Sequence, residues 1–165
     1  MRIYISSFYN VRFFTPNIIP ISTAASYGWP WWLVKADGHK QGDIYLNKDN
    51  VMIGIKEDSL AFPEASFETL TEQCQKDCPY KEKAPKCQFM NAYYKHLQTL
   101  DFSALLVELG RVANDVKKIT KFETDPIIVL MVYESPSSPC GERPCLQKWF
   151  SDNGYELKEW SKDIC

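Results

Sequence analysis

The segment Ile127-Ile128-Val129-Leu130-Met131-Val132-Tyr133 is an unbroken apolar run, stopped before by Asp125-Pro126 and after by Glu134-Ser135-Pro136. A strand with one face in water alternates apolar and polar residues. A strand without a polar face must be covered on both sides, as in the middle of a parallel sheet. Parallel neighbours need long crossover connections, and these are usually helices. The run therefore predicts an α/β fold: a single layered domain, residues 1–165, with a mixed, partly parallel sheet flanked by helices.

The rest of the chain supplies the other layers. Residues 2–8 read as a first strand, rich in β-branched and aromatic residues. Residues 17–22 read as a second, short strand, with Pro20 at an edge or bulge because it lacks an N–H. Residues 50–55 give a third strand, and the Gly-, Pro- and Trp-rich stretch between 27 and 43 an aromatic loop. Helices are predicted over 64–77, over 87–98 with Phe89, Tyr93 and Leu97 on one face, and over 102–115 behind an Asp101 cap. A last helix over 144–153 is ended by Gly154, and a strand over 155–160 closes the fold.

Charge and hydropathy narrow the function classes. The net charge is −2, which gives no global field toward nucleic acid or anionic lipid. The longest apolar stretch, 127–133, is far too short to span a bilayer, and no secretion signal is evident after Met1. A cytoplasmic chain without a membrane partner is the expectation, with its six cysteines as reduced thiols.

The strand–loop–helix over 127–154 is the expected site. Ligands of open α/β sheets bind beyond the carboxyl ends of strands. A helix start there offers unpaired N–H groups and partial positive charge, which favour anions. Arg143 adds a fork of donors suited to phosphate or carboxylate. Cys140 lies near that positive end, where a thiol becomes more reactive. A small anionic ligand, phosphate-bearing or nucleotide-like, is thus expected at the 135–145 loop, contacted by Arg143, Cys140 and Gly141, with Ser22 and Trp31 across the cleft. Cys140 is the candidate nucleophile, but only His39 and His96 could serve it as a base. Only Gly141 and Glu142 separate Cys140 from Arg143, which does not support cysteine-phosphatase chemistry. The opposing reading has Cys140 packed as a small apolar residue and Arg143 paired with Glu142, Glu134 or Asp152.

The sequence Val129 to Pro136, followed by Cys140, Arg143 and Trp149 to Leu157, resembles the domain of unknown function 488 family, which ends an apolar strand in Tyr-Glu and continues with Cys-His-Arg, a helix and an Asn-Gly turn. Arg2 to Asn10, Ile19 to Ser22 and the segments around Tyr93-Tyr94 and Leu100 to Leu109 are similar as well, so the likeness covers most of the chain and is weakest between 25 and 85. Two departures stand out. The Cys-His-Arg motif becomes Cys140-Gly141-Glu142-Arg143, and Thr23-Ala24-Ala25-Ser26 follows Ser22 where the family usually has an arginine.

Two further motifs leave alternatives open. Cys74, Cys78 and Cys87 could supply three thiolates to zinc, completed by Cys140, Cys145, Cys165 or His96, although Cys87 lacks a partner pair. Trp29, Trp31 and Trp32 could stack on a base or sugar, cover the core, or form an oligomer contact. The alternative function is accordingly a non-catalytic interaction module for nucleic acid or a protein partner, stabilised by zinc if the thiols bind it.

Overall fold

A computed structural model of the chain describes residues 1–23, 38–41, 44–47, 52–62, 87–121, 123–137 and 141–164. The expected 64–77 helix and the Trp29–Trp32 loop lie outside these residues.

Seven strands form one mixed sheet in the order β3-β4-β5-β2-β6-β1-β7. They are β1 (Arg2–Ser7), β2 (Ile18–Ser22), β3 (Gly38–Gln41), β4 (Ile44–Asn47), β5 (Met52–Lys56), β6 (Ile127–Val132) and β7 (Lys158–Glu159). From β5 through β7 every pairing is parallel, whereas β3-β4-β5 is an antiparallel meander on one edge. The α/β expectation and the mixed sheet are borne out. Among the described residues the helices are α1 (Gln88–Gln98), α2 (Phe102–Thr120) and α3 (Glu142–Asp152).

The apolar run of β6 sits at the centre and both of its faces are buried. Ile128, Leu130 and Val132 join Ile3, Ile5, Ile19 and Ile21 against the three helices. Ile127, Val129 and Met131 pack on the opposite face with Ile18 and Trp160. Among the described residues that second face is covered by Phe8, Val11 and Phe14, from the 3-10 segment after β1 and its exit, together with Tyr4 and Ile164. Phe14 meets the Trp160 ring edge-on, at 4.7 Å between centroids.

Pro20 is not at an edge: β2 lies between β5 and β6. Ile127 N–H bonds Asn17 O and Thr23 N–H bonds Met131 O, so odd-numbered residues of β2 face β6. Pro20 therefore faces β5, whose pairing begins only at Ile21. The missing N–H falls where no partner strand has yet arrived.

Helix ends follow local chemistry. The Asp101 carboxylate accepts from Ala104 N–H at 3.0 Å, as its position before α2 predicts. The helix runs past residue 115 to Thr120, through Lys117 and Lys118. At the end of α3, Gly154 N–H bonds Ser151 O and Tyr155 N–H bonds Phe150 O, both at 2.9 Å. This is a Schellman closure, completed by the Tyr155 ring against Phe150 at 5.7 Å. Gly154 takes the positive φ of 79° that the turn requires. The predicted 155–160 strand shortens to Lys158–Glu159, because the Tyr155 hydroxyl takes the Ile3 N–H before pairing begins.

Candidate functional site at the carboxyl edge of the sheet

The connections leaving β1 and β6 diverge. The chain after β1 crosses behind the sheet to β2, while the chain after β6 crosses in front, through α3, to β7. A crevice between two such strand ends is where α/β sheets bind ligands. Register places Ser7 beside Val132 and Ser22 beside Met131, so β1, β2 and β6 end nearly level.

Among the described residues the polar groups at this edge bind one another. Arg143 is 3% exposed and its guanidinium turns inward. One terminal nitrogen donates to Ser7 Oγ at 2.7 Å and to the Glu134 carbonyl at 2.8 Å. The other pairs with the Glu159 carboxylate on β7. Ser7 Oγ also donates to the Glu134 carbonyl, at 2.7 Å. Arg143 thus ties together the ends of β1, β6 and β7. Its carboxylate partner is Glu159, not Glu142, Glu134 or Asp152. Asp152 instead holds Lys148 and Tyr94.

The start of α3 is occupied as well. Gly141 has no side chain to cap the helix, and the half-buried Glu134 supplies the cap by accepting the Arg143 N–H. An anion does sit at this helix start, but it belongs to the chain. The fit requires glycine at 141: φ is 134°, and a Cβ there would lie 2.5 Å from Glu134 Cδ. Pro144 is the third helical residue rather than the first, which costs nothing because first-turn N–H groups lack intrahelical partners.

Beneath this cap lies a buried acidic cluster. Glu142 is 7% exposed and its Oε2 lies 3.1 Å from Thr23 Oγ1. Burial, reinforced by the Glu134 charge, pushes its carboxyl up to about 8, against the opposing Thr23 hydrogen bond. Burial first, then Glu134, Cys87 and Glu142, pushes the Cys145 thiol up to about 12. That thiol donates to Met90 O at 3.4 Å and is inert as a nucleophile. Burial also raises the Tyr93 hydroxyl, which donates to Leu60 O at 2.7 Å.

Of the residues singled out from the sequence, Arg143 and Gly141 stand together at this edge. Ser22 is fully buried, and its carbonyl accepts from Glu57 N–H. Cys140, Trp31, Cys74 and Cys78 lie outside the described residues. Cys87 is buried at the start of α1 as a free thiol. Among the described residues no group of three or more His, Cys, Asp and Glu side chains could hold a metal ion, and no helix is long and apolar enough to cross a membrane.

Sequence reasoning missed Thr23, Ser7 and Glu159. It also missed an aromatic surface on the side of the sheet away from the helices. Tyr133 is 84% exposed and Tyr9 58%. Tyr133 stands edge-on to Phe8 at 6.2 Å, and Tyr9 edge-on to Phe13 at 5.9 Å. Arg12 lies over the Tyr9 ring at 3.9 Å, and Lys162 over Phe13 at 3.5 Å. The available signal was Phe8-Tyr9-Asn10-Val11-Arg12-Phe13, whose aromatic density exceeds what a strand exit needs. Comparisons with protein-family models, with curated proteins and with solved structures return no match, so the likeness to the domain of unknown function 488 family rests on the quoted residues alone.

Proposed function

We propose that this chain is a non-catalytic interaction module that binds a protein partner through the Tyr9, Phe13 and Tyr133 surface. The observation that carries the reading is the pair of cation-covered rings, Arg12 over Tyr9 and Lys162 over Phe13, together with Tyr133, the most exposed aromatic among the described residues, which packs edge-on against Phe8. Tyrosine, phenylalanine and arginine are the residues enriched at protein interfaces. Arg12 over the Tyr9 ring calls for a partner segment that carries a carboxylate next to apolar side chains. The net charge of −2 gives no global field toward nucleic acid. A cytoplasmic setting, with Cys87 and Cys145 as free thiols, belongs to the same proposal.

A displayed peptide library and single-stranded oligonucleotides, each presented to the full chain, test this reading. Acidic–aromatic peptides should be selected, and Tyr133→Ala should weaken them roughly tenfold or more. Selection of oligonucleotides alone, with steep salt dependence, would replace the protein partner by nucleic acid. Peptides that ignore Tyr9, Arg12 and Tyr133 substitutions would remove the surface from the account.

A second reading keeps one specific support. The Arg143 N–H already holds a carboxylate, so a phosphate-bearing ligand at the 135–145 loop would bind by displacing Glu134.

A further inference from the structure

The Thr23 hydroxyl stands between two oxygens: Met131 O at 3.1 Å and Glu142 Oε2 at 3.1 Å. A hydroxyl has a single hydrogen, and a carbonyl can only accept. If Thr23 gives its hydrogen to Met131, Glu142 must contribute one of its own. If Thr23 gives it to Glu142 instead, the Thr23 and Met131 oxygens face each other without a proton between them. A protonated Glu142 makes both contacts hydrogen bonds, as a relay from Glu142 through Thr23 to Met131, whereas an ionised Glu142 takes the Thr23 hydrogen and leaves Met131 O to the Thr23 N–H alone.

The surroundings agree. Among the described residues Glu142 enters no ion pair, and the neighbouring guanidinium of Arg143 is turned to Ser7, Glu134 and Glu159. The titratable groups facing Glu142 are Glu134 beyond β6, Tyr93 on α1 and Cys145 on its own helix, with Cys87 behind Cys145. None of them is a cation, so among the described residues nothing there compensates a buried charge.

We infer that Glu142 is a resident carboxylic acid whose proton latches the first turn of α3 to the ends of β2 and β6 through Thr23, and that the latch opens as pH rises. The carboxyl, ordinarily near 4.5, is pushed up to about 8 in the folded chain. Between those values the folded chain binds a proton that the unfolded chain has lost. Stability from this group is therefore full below about 4.5 and falls as pH rises, by roughly tenfold in the folding constant per pH unit, until it levels above about 8. Ionisation would also place a second negative charge beside Glu134 at the helix start. The turn that loosens is the one that carries the loop after Tyr133.

Denaturant unfolding of the full chain from pH 5 to pH 9, in wild type and in Glu142→Gln, tests the latch. The amide keeps a donor for Thr23 but cannot ionise. The variant should lose the tenfold-per-unit decline and exceed wild type in stability above pH 8. Infrared spectra at pH 6 should show the carbonyl stretch of a protonated carboxylic acid in wild type and not in the variant. Parallel pH profiles, or no difference in that band, would overturn the inference. Should the variant fail to fold, carbon-13 carboxyl resonances of wild-type glutamates decide alone: one midpoint near 8 is expected, and every glutamate titrating near 4.5 would contradict it.

Discussion

The two sides of β6 meet the solvent in opposite ways at its carboxyl end. Toward the helices, the polar groups described there are turned inward: the terminal nitrogens of Arg143 onto Ser7, Glu134 and Glu159, with its Nε buried without a partner, the Glu134 carboxylate onto the start of α3, and Glu142 onto Thr23. Away from the helices, Tyr133 and Tyr9 project large rings into water. Position in an α/β sheet marks where a site can form, but the saturation of the local polar groups decides whether one is open. Among the described residues the polar groups at the crevice that topology designates bind one another, and exposed aromatic rings lie on the neighbouring face.

This contrast predicts effects of very different size. The largest belongs to Arg143→Ala, which removes the donor shared by Ser7 Oγ and the Glu134 carbonyl, leaves those two to their mutual bond, and frees Glu159. A loss of about 3 kcal/mol in unfolding free energy is expected from denaturant titration. Arg143→Lys should recover only part of it, because an ammonium cannot reach all three partners with one planar fork. Gly141→Ala comes next. The positive φ and the clash with Glu134 should cost about 1–3 kcal/mol, and Glu134→Ala in the same background should relieve part of that loss. Asp101→Ala, remote from both regions, should cost about 1 kcal/mol through the lost cap of α2. At the small end, Tyr133→Ala should change stability by no more than about 0.5 kcal/mol while weakening partner binding. A large stability loss from Tyr133→Ala would show that its ring is structural, and the contrast between the two faces would fail.

Much of the scaffold was legible from the residues. The run at 127–132 could be read because burial on both faces leaves a continuous apolar signature. The Asp101 cap and the Gly154 stop could be read because each depends on backbone chemistry within a few residues. The site was legible only as a place. Arg143 at a helix start reads equally well as facing a ligand or facing inward. Its real partner, Glu159, is fixed by the parallel pairing of β7 with β1, which no local pattern reveals. Glu142 looks like a solvated acid favourable to the helix dipole, and only the packing of α3 against β2 makes it buried. Tyr133 continues an apolar run, so its exposure reverses what the pattern implies.

The central claim is that the polar groups described at the crevice between β1 and β6 bind one another. Titration of the folded protein with inorganic phosphate, followed through the backbone amide resonances of Glu142, Arg143 and Cys145, tests it most directly. The account predicts no saturable shift at those amides, because Glu134 holds the position an anion would take. Saturable shifts confined to them, lost in Arg143→Lys, would show an open anion site and contradict it.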